Sequence, residues 1–371
     1  IGQLQGSGIL LRPTIYFAAV GLAFFVSTDV SFSVGIASVA NAARFLILYT
    51  LGVRIAGGTM LGRMHNWQLF GSFLGMGLIL LYVGRRYYAT VARRAVFLPA
   101  SDRASATAAW GLRLGLLAAA GMVAMLVQVL HLDALLAVLT VFLLLLVFLV
   151  MTRISAESGM FFIQPSWQPL MVLVGVFGTA ALGPNMLLIL ALLSILLVWD
   201  PRNCLMPLVA NALRTGEQVR LRPARLARWM GVGVVLAVTV GVIVTIYLQY
   251  NVGGAHYEWA AGGVAKRPFH LLAGQLERMG TLGRQADPRT WQAFDLSAWA
   301  PDRSFLTAVG VGVGLVLLCS ALRLRFTWWP LHPVLFLVWG TFPVLHIAPS
   351  FLLAWFIKVL ETRLGGSAAY R

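Results

Sequence analysis

ALLAVLTVFLLLLVFLVM, Ala134 to Met151, runs eighteen residues without a charge. At 1.5 Å per helical residue such a run crosses a bilayer core of about 30 Å. Outward from it the pattern repeats. Trp229–Tyr250 and Ser304–Leu322 are free of charge, and Gln168–Trp199 and Phe326–Ile357 are longer uncharged stretches broken by prolines. Lipid offers the backbone no hydrogen-bonding partner, so spanning segments are helices or closed barrels. A barrel strand would alternate polar and apolar residues, and these runs do not. The fold class is therefore all-α, a polytopic membrane bundle.

Composition agrees: 60% of residues are hydrophobic and 11% charged, with a mean hydropathy of +0.85. Cys204 and Cys319 have neither disulfide-framework nor metal-site spacing, and no cofactor motif is present. The net charge of +16 reads as topology rather than as nucleic-acid binding.

Eleven spans are expected, with nine as the lower bound: Pro13–Val26, Val34–Val53, Asn66–Val83, Ala106–Leu130, Leu132–Thr152, Met160–Leu182, Pro184–Trp199, Trp229–Tyr250, Ser304–Leu322, Phe326–Ile347 and Pro349–Leu360. Gly183-Pro184-Asn185 reads as a hairpin turn. Prolines 330, 333, 343 and 349 admit kinked, re-entrant or half-crossing helices near the end. The organisation is a bundle of about eight spans over 1–250, an outer polar loop over 251–303, and a C-terminal hairpin region over 304–371.

Alternate loops hold seventeen of the 28 basic residues, among them Arg85, Arg86, Arg93, Arg94, Arg103, Arg153, Arg202, Arg214, Arg323, Arg325, Lys358, Arg363 and Arg371. The opposite short loops hold Arg12, Arg54 and Arg63. The positive-inside rule places the rich side in the cytoplasm, with the first residue outside and the C-terminus inside. The expected location is a bacterial inner membrane. The basic loop 201–228 interleaves arginines with leucines and suits either a solvated connector or a segment in the headgroup plane beside anionic lipids. In the outer loop, Leu271–Met279 reads as a short amphipathic helix, and the loop as a cap, a lid or a docking surface.

Charges at membrane depth cost ~2.5–3.5 kcal/mol each on insertion scales and mark candidate sites. Thr28-Asp29-Val30-Ser31-Phe32-Ser33 joins two spans. It reads either as an unwound segment whose Asp29, Ser31 and Ser33 line a polar cavity, or as a helix cap. Arg153 and Glu157, followed by Ser158 and Gly159, end the longest apolar run. They are four apart, so they share a helix face and can pair, for ion or solute binding or simply to close the helix. The two segments lie four spans apart and hint at an internal repeat. Arg44 sits mid-span beside Asn41 and is expected to pair with an acid, Asp29 being one candidate. His332, in Trp328-Trp329-Pro330-Leu331-His332-Pro333, and His346 are secondary candidates, as is Lys358. No metal is expected, because the two histidines lie near opposite faces. Gly71 and Gly75, and Gly310 and Gly314, are pairs suited to close helix contact.

The segments Thr28–Ser33, Arg153-x-x-Ala156-Glu157-x-Gly159, Trp328–Pro333 and Lys358…Arg363-x-Gly365-Gly366, in that order, resemble the C-terminal half of a large bacterial multi-pass membrane family of unknown function. That family is distantly similar to oligopeptide transporters. The resemblance spans nearly the whole chain. It implies a transporter fold and longer relatives with further spans ahead, which would make this chain a fragment or a separately encoded half. The peptide-transporter signature motifs are absent here, and the resemblance carries no catalytic residues.

The expected function is that of a secondary transporter, or half of one, coupled to protons or cations through Glu157 or Asp29. The alternative is a non-transporting scaffold subunit that docks partners through 251–303. The discriminator is a water-accessible cavity at the motif residues. No enzymatic constellation is recognised.

Overall fold

The computed structural model describes residues 14–50, 52, 61–62, 64–99, 106–160, 163–199, 204–253, 263–281 and 294–364. Arg12, Arg54, Arg63, Arg103, Arg202 and Arg371, much of 251–303, and the Gly365-Gly366 pair lie outside the described residues.

Among these residues there is helix and no strand. The helices are α1 Phe17–Phe25, α2 Thr28–Thr50, α3 Met64–Ala95, α4 Ala106–Gln128, α5 Ala134–Ser158, α6 Pro169–Phe177, α7 Thr179–Ser194 with a π-turn Ile195–Trp199, α8 Leu205–Gln218, α9 Pro223–Val252, α10 Arg267–Thr281, α11 Arg303–Arg325, α12 Val334–Val338 and α13 Phe342–Leu364. Eight are long and apolar enough to cross a bilayer: α2, α3, α4, α5, α7 with its π-turn, α9, α11 and α13. Each of the other three expected spans holds a short helix, α1, α6 or α12.

Chain breaks follow local chemistry. Asp133 caps α5 by accepting the Leu135 amide at 2.9 Å. The same helix stops at Gly159, in the left-handed region at φ 65°, where a side chain would be strained. Pro165 and Pro169 then keep the chain extended as far as Gln168. The expected single span over 160–182 thus holds a non-helical stretch over 163–168, then α6 and the first residues of α7. The 183–185 turn also needs correction. The reversal begins at Gly178 (φ 82°), and Gly183 (φ 68°) makes a second break ahead of Pro184. Likewise Phe326–Ile347 is no continuous span, since Pro330 and Pro333 leave room for five helical residues and Gly340 (φ 72°) ends them. By contrast, α13 runs unbroken through Pro349.

Buried contacts fix which ends meet. α3 and α11 pack side by side and parallel: Gly71 lies against Val309 and Gly75 against Val313. On α11 the close contact is Gly312 against the Gln68 and Ser72 backbone; Gly310 and Gly314 face open space. α6 and α7 form an antiparallel hairpin in which the Leu170 amide donates to Ser194 Oγ at 3.1 Å, and Gln164 reaches the Trp199 carbonyl at 2.8 Å. Trp167, on the extended stretch, is fully buried between Phe70 and Phe73. Non-helical backbone is tolerated here because it is enclosed by protein. α13 runs antiparallel to α2, with Gly35 against Leu352 and Phe32 against Trp355, and parallel to α1.

Part of the 251–303 segment is held on the bundle. The amides of Asp295, Ala300 and Asp302 donate to the carbonyls of Ala181, Phe177 and Gly175, lacing 295–302 over the α6–α7 hairpin. Asp295 itself accepts from the Ser297 hydroxyl and amide, which hold its carboxyl below the usual value. The expected amphipathic helix exists as α10 and packs on α7, while α8 packs on α5. α9 buries none of its residues.

Candidate functional site

Three chain breaks converge at one end of the bundle. α1 ends at Phe25, two residues intervene, and α2 opens at Thr28. The Ser31 amide donates back to the Ser27 carbonyl at 2.9 Å. Asp29 therefore sits in the first turn of a helix, where the aligned amides favour a carboxylate, and this segment is a helix start rather than an unwound loop. Gly159, at the end of α5, lies against Val26 and Leu22. The chain leaving α11 passes the same point.

Two ion pairs form there. Asp29 pairs with Arg323, at the last turn of α11, and Arg153 pairs with Glu157 along one face of α5. The pairs are neighbours: Asp29 and Arg323 both bear on the charge of Glu157, and Asp29, Arg153 and Arg323 all bear on His332. Glu157 Oε2 is buried without a hydrogen-bond partner. The two acids stand at helix ends of opposite dipole, Asp29 in the first turn of α2 and Glu157 in the last turn of α5.

The hydroxyls hold the backbone together around these charges. Ser31 donates to the Ala23 carbonyl at 3.0 Å, and Ser158 to that of Ile154 at 2.7 Å. Ser33 donates to the Asp29 carbonyl and accepts the His332 amide, both at 2.7 Å. His332 Nδ1 in turn accepts the Val334 amide at 3.2 Å, capping α12. Lys358 is buried, and its ammonium donates to the carbonyls of Val26 at 2.8 Å and Phe24 at 3.3 Å. It closes the C-terminal end of α1, whose last carbonyls have no intrahelical partner. His346 lies apart and donates from Nδ1 to the Phe342 carbonyl at 2.9 Å.

Arg44 does not belong to this cluster. It lies sixteen residues along α2 from Thr28, about 24 Å away along the axis. Its expected pairing with Asp29 does not occur, because Asp29 is taken by Arg323. The guanidinium instead donates to Gln68 Oε1 at 2.9 Å, to Asn41 Oδ1, and to His65 Nδ1 at 2.7 Å. It also lies over the Trp339 and Phe45 rings, at 4.7 and 5.1 Å from their centroids. These neutral partners border a cavity of about 500 Å³ lined by Arg44, His65 and Gln68 together with apolar residues of α2, α3, α11 and α12.

The stretch 326–341 links the two places. It leaves α11 beside the ion pairs, where Ser33 holds the His332 amide. It then runs through α12 to Trp339 on Arg44, and Gly340 against Asn41 and His65. α13 then returns, so 326–341 and α13 form a hairpin whose tip is level with Asn41. Sequence reasoning missed Arg323, His65 and Gln68. In the sequence the charge of Arg323 has a sufficient topological explanation, and polar residues at the start of α3 carry no signal of their partner. Among the described residues no cluster of His, Cys, Asp or Glu is arranged to hold a metal ion.

A family model described as a family of unknown function (DUF6785) matches residues 10–371, and the chain belongs to that family. No curated protein and no solved structure matches it.

Proposed function

We propose that this member of the family is a secondary-transporter-like carrier, or half of one, in a bacterial inner membrane. Its cavity around Arg44 is the solute compartment, and the Asp29–Arg323 and Arg153–Glu157 pairs close the opposite route. The observation that carries the reading is the stretch 326–341. It lines the cavity at Trp339, and its His332 amide is held by Ser33, whose hydroxyl donates to the Asp29 carbonyl; on this reading, opening one end disturbs the other. Discontinuous helices between a central site and a closed end are the usual apparatus of alternating access. Here the extended 163–168 and the short α12 supply two of them.

In this reading the basic end faces the cytoplasm, and the arginines of 214–228 lie near anionic headgroups, each contributing ~1 kcal/mol. Protons or cations couple through Glu157 or Asp29, because neutralising either breaks a pair at the closed end. The solute is small, of a size to fit a cavity of about 500 Å³. The motif acids are not among the described residues that line the Arg44 cavity, and the reading assigns them gating.

The test is side-specific labelling of single cysteines in a background without Cys204 and Cys319, using a small membrane-impermeant thiol reagent. His65→Cys should label from the outer side, and Ser33→Cys from neither. Adding Arg323→Ala should expose Ser33→Cys to the cytoplasmic side and reduce labelling at 65. Labelling at neither position in either background would instead favour the scaffold reading.

A further inference from the structure

We infer that the Arg44 cavity binds a small amphiphilic anion, a monocarboxylate or an acid of equal charge with an apolar body. The inference names the substrate class of the proposed carrier and rests on that reading for its purpose. The binding chemistry stands on the cavity itself.

The charge of Arg44 is not balanced by its surroundings. A guanidinium only donates, so His65 Nδ1, at 2.7 Å, accepts and the ring has a lone pair there rather than a proton. Gln68 and Asn41 accept through amide oxygens and bring dipoles rather than charge. Nε is buried with no hydrogen-bond partner. Among the described residues no Asp or Glu lines the cavity. A cation held at membrane depth by neutral groups keeps most of its desolvation cost, and an entering anion offsets it.

The remaining walls choose the rest of the ligand. Ala40, Ile47, Met64, Val311, Phe336 and Trp339 are among the lining residues, and none offers a side-chain charge. Ile47 and Val311 are exposed on the outer flank of α2 and α11, so an apolar body can lie along the side that meets lipid. A volume of about 500 Å³ falls within the ordinary range for small-molecule pockets, about 300–1,000 Å³. A neutral solute would leave Arg44 unpaired, and an amine would be repelled. An amino acid or peptide would bring an ammonium into a cavity without a carboxylate. The site therefore selects an acid over its amine and zwitterionic analogues.

Three compounds that share an indole test this: indole-3-acetate, tryptamine and tryptophan. Equilibrium binding of radiolabelled indole-3-acetate to the purified full chain is expected to saturate. Unlabelled indole-3-acetate should compete, and equal concentrations of tryptamine or tryptophan should not. Arg44→Gln should weaken binding by at least about tenfold, the loss typical of a hydrogen-bonded charge, with Arg44→Lys falling between. Ala43→Trp fills the cavity from its wall without removing an Arg44 partner and should abolish binding while the thermal unfolding midpoint is kept. Absence of saturable binding, equal competition by tryptamine, or full binding in both Arg44→Gln and Ala43→Trp would overturn the inference. Selective binding without side-dependent labelling at 65 would leave the anion site standing and remove the carrier reading. Labelling without binding would do the reverse.

Discussion

Lys358 reads from the sequence as one more cation on the basic side, yet its ammonium closes the end of α1 by donating to the Val26 and Phe24 carbonyls. Lys358→Met strands buried carbonyls and is expected to cost about 1–3 kcal/mol, read as a lower unfolding midpoint in detergent. An unchanged midpoint would mean water takes the ammonium's place. The Asp29–Arg323 pair makes a contrasting case. Both side chains are partly solvated, at 27% and 45% exposure, so their mutual stabilisation should stay below ~1 kcal/mol in a double-mutant cycle of Asp29→Asn with Arg323→Gln. Its importance on the present reading is to the route it closes, and Glu157→Gln is likewise expected to abolish transport while the fold persists. Asp29 and Glu157 were legible as candidates because an acid at a span end is costly and conspicuous. The partner of Asp29 was not, since Arg323 lies 294 residues away in a stretch whose positive charge has a sufficient topological explanation.

At the scale of elements, small residues decide how closely helices approach. The α3–α11 contact leaves no room for a Cβ at Gly71 or Gly312, whereas Gly310 and Gly314 have space around them. Gly312→Leu should therefore destabilise by about 1–3 kcal/mol or more through overpacking, and Gly314→Leu should be nearly neutral. Equal midpoints for the two variants would contradict the parallel packing of α3 and α11. Gly159→Ala meets a second constraint, the left-handed backbone at φ 65°, with an expected cost of about 1–2 kcal/mol. Spacing alone named Gly71 and Gly75 correctly, because small residues four apart share a helix face. It named the wrong pair on α11, because which face meets a neighbour depends on that neighbour.

Over the whole molecule, the antiparallel and parallel contacts gather the ends of α3, α5 and α11 and the start of α2, with most of their arginines, at one end of the bundle. Single cysteines replacing Arg86 and Arg222 should thus react from one side of the membrane and one replacing Asn251 from the other. Reaction of all three from a single side would break the proposed topology. Apolar length fixed the helical class and the eleven stretches in which helices lie, because lipid demands internal hydrogen bonding whatever the neighbours are. Prolines and glycines marked breaks at 159–165, 183–185 and 330–333, but not the reversal at Gly178, and Pro349 interrupts nothing. Sequence also singled out Asp29, Arg44, Arg153 and Glu157, since an ionisable group near a hydrocarbon core is expensive in any fold. Tertiary structure alone decided how they are sorted. Asp29 joined Arg323 and approached the Arg153–Glu157 pair, while Arg44 went to neutral partners beside a cavity. That sorting depends on which helices run side by side and in what direction. Distant segments set it through packing, and local periodicity carries no record of a partner hundreds of residues away.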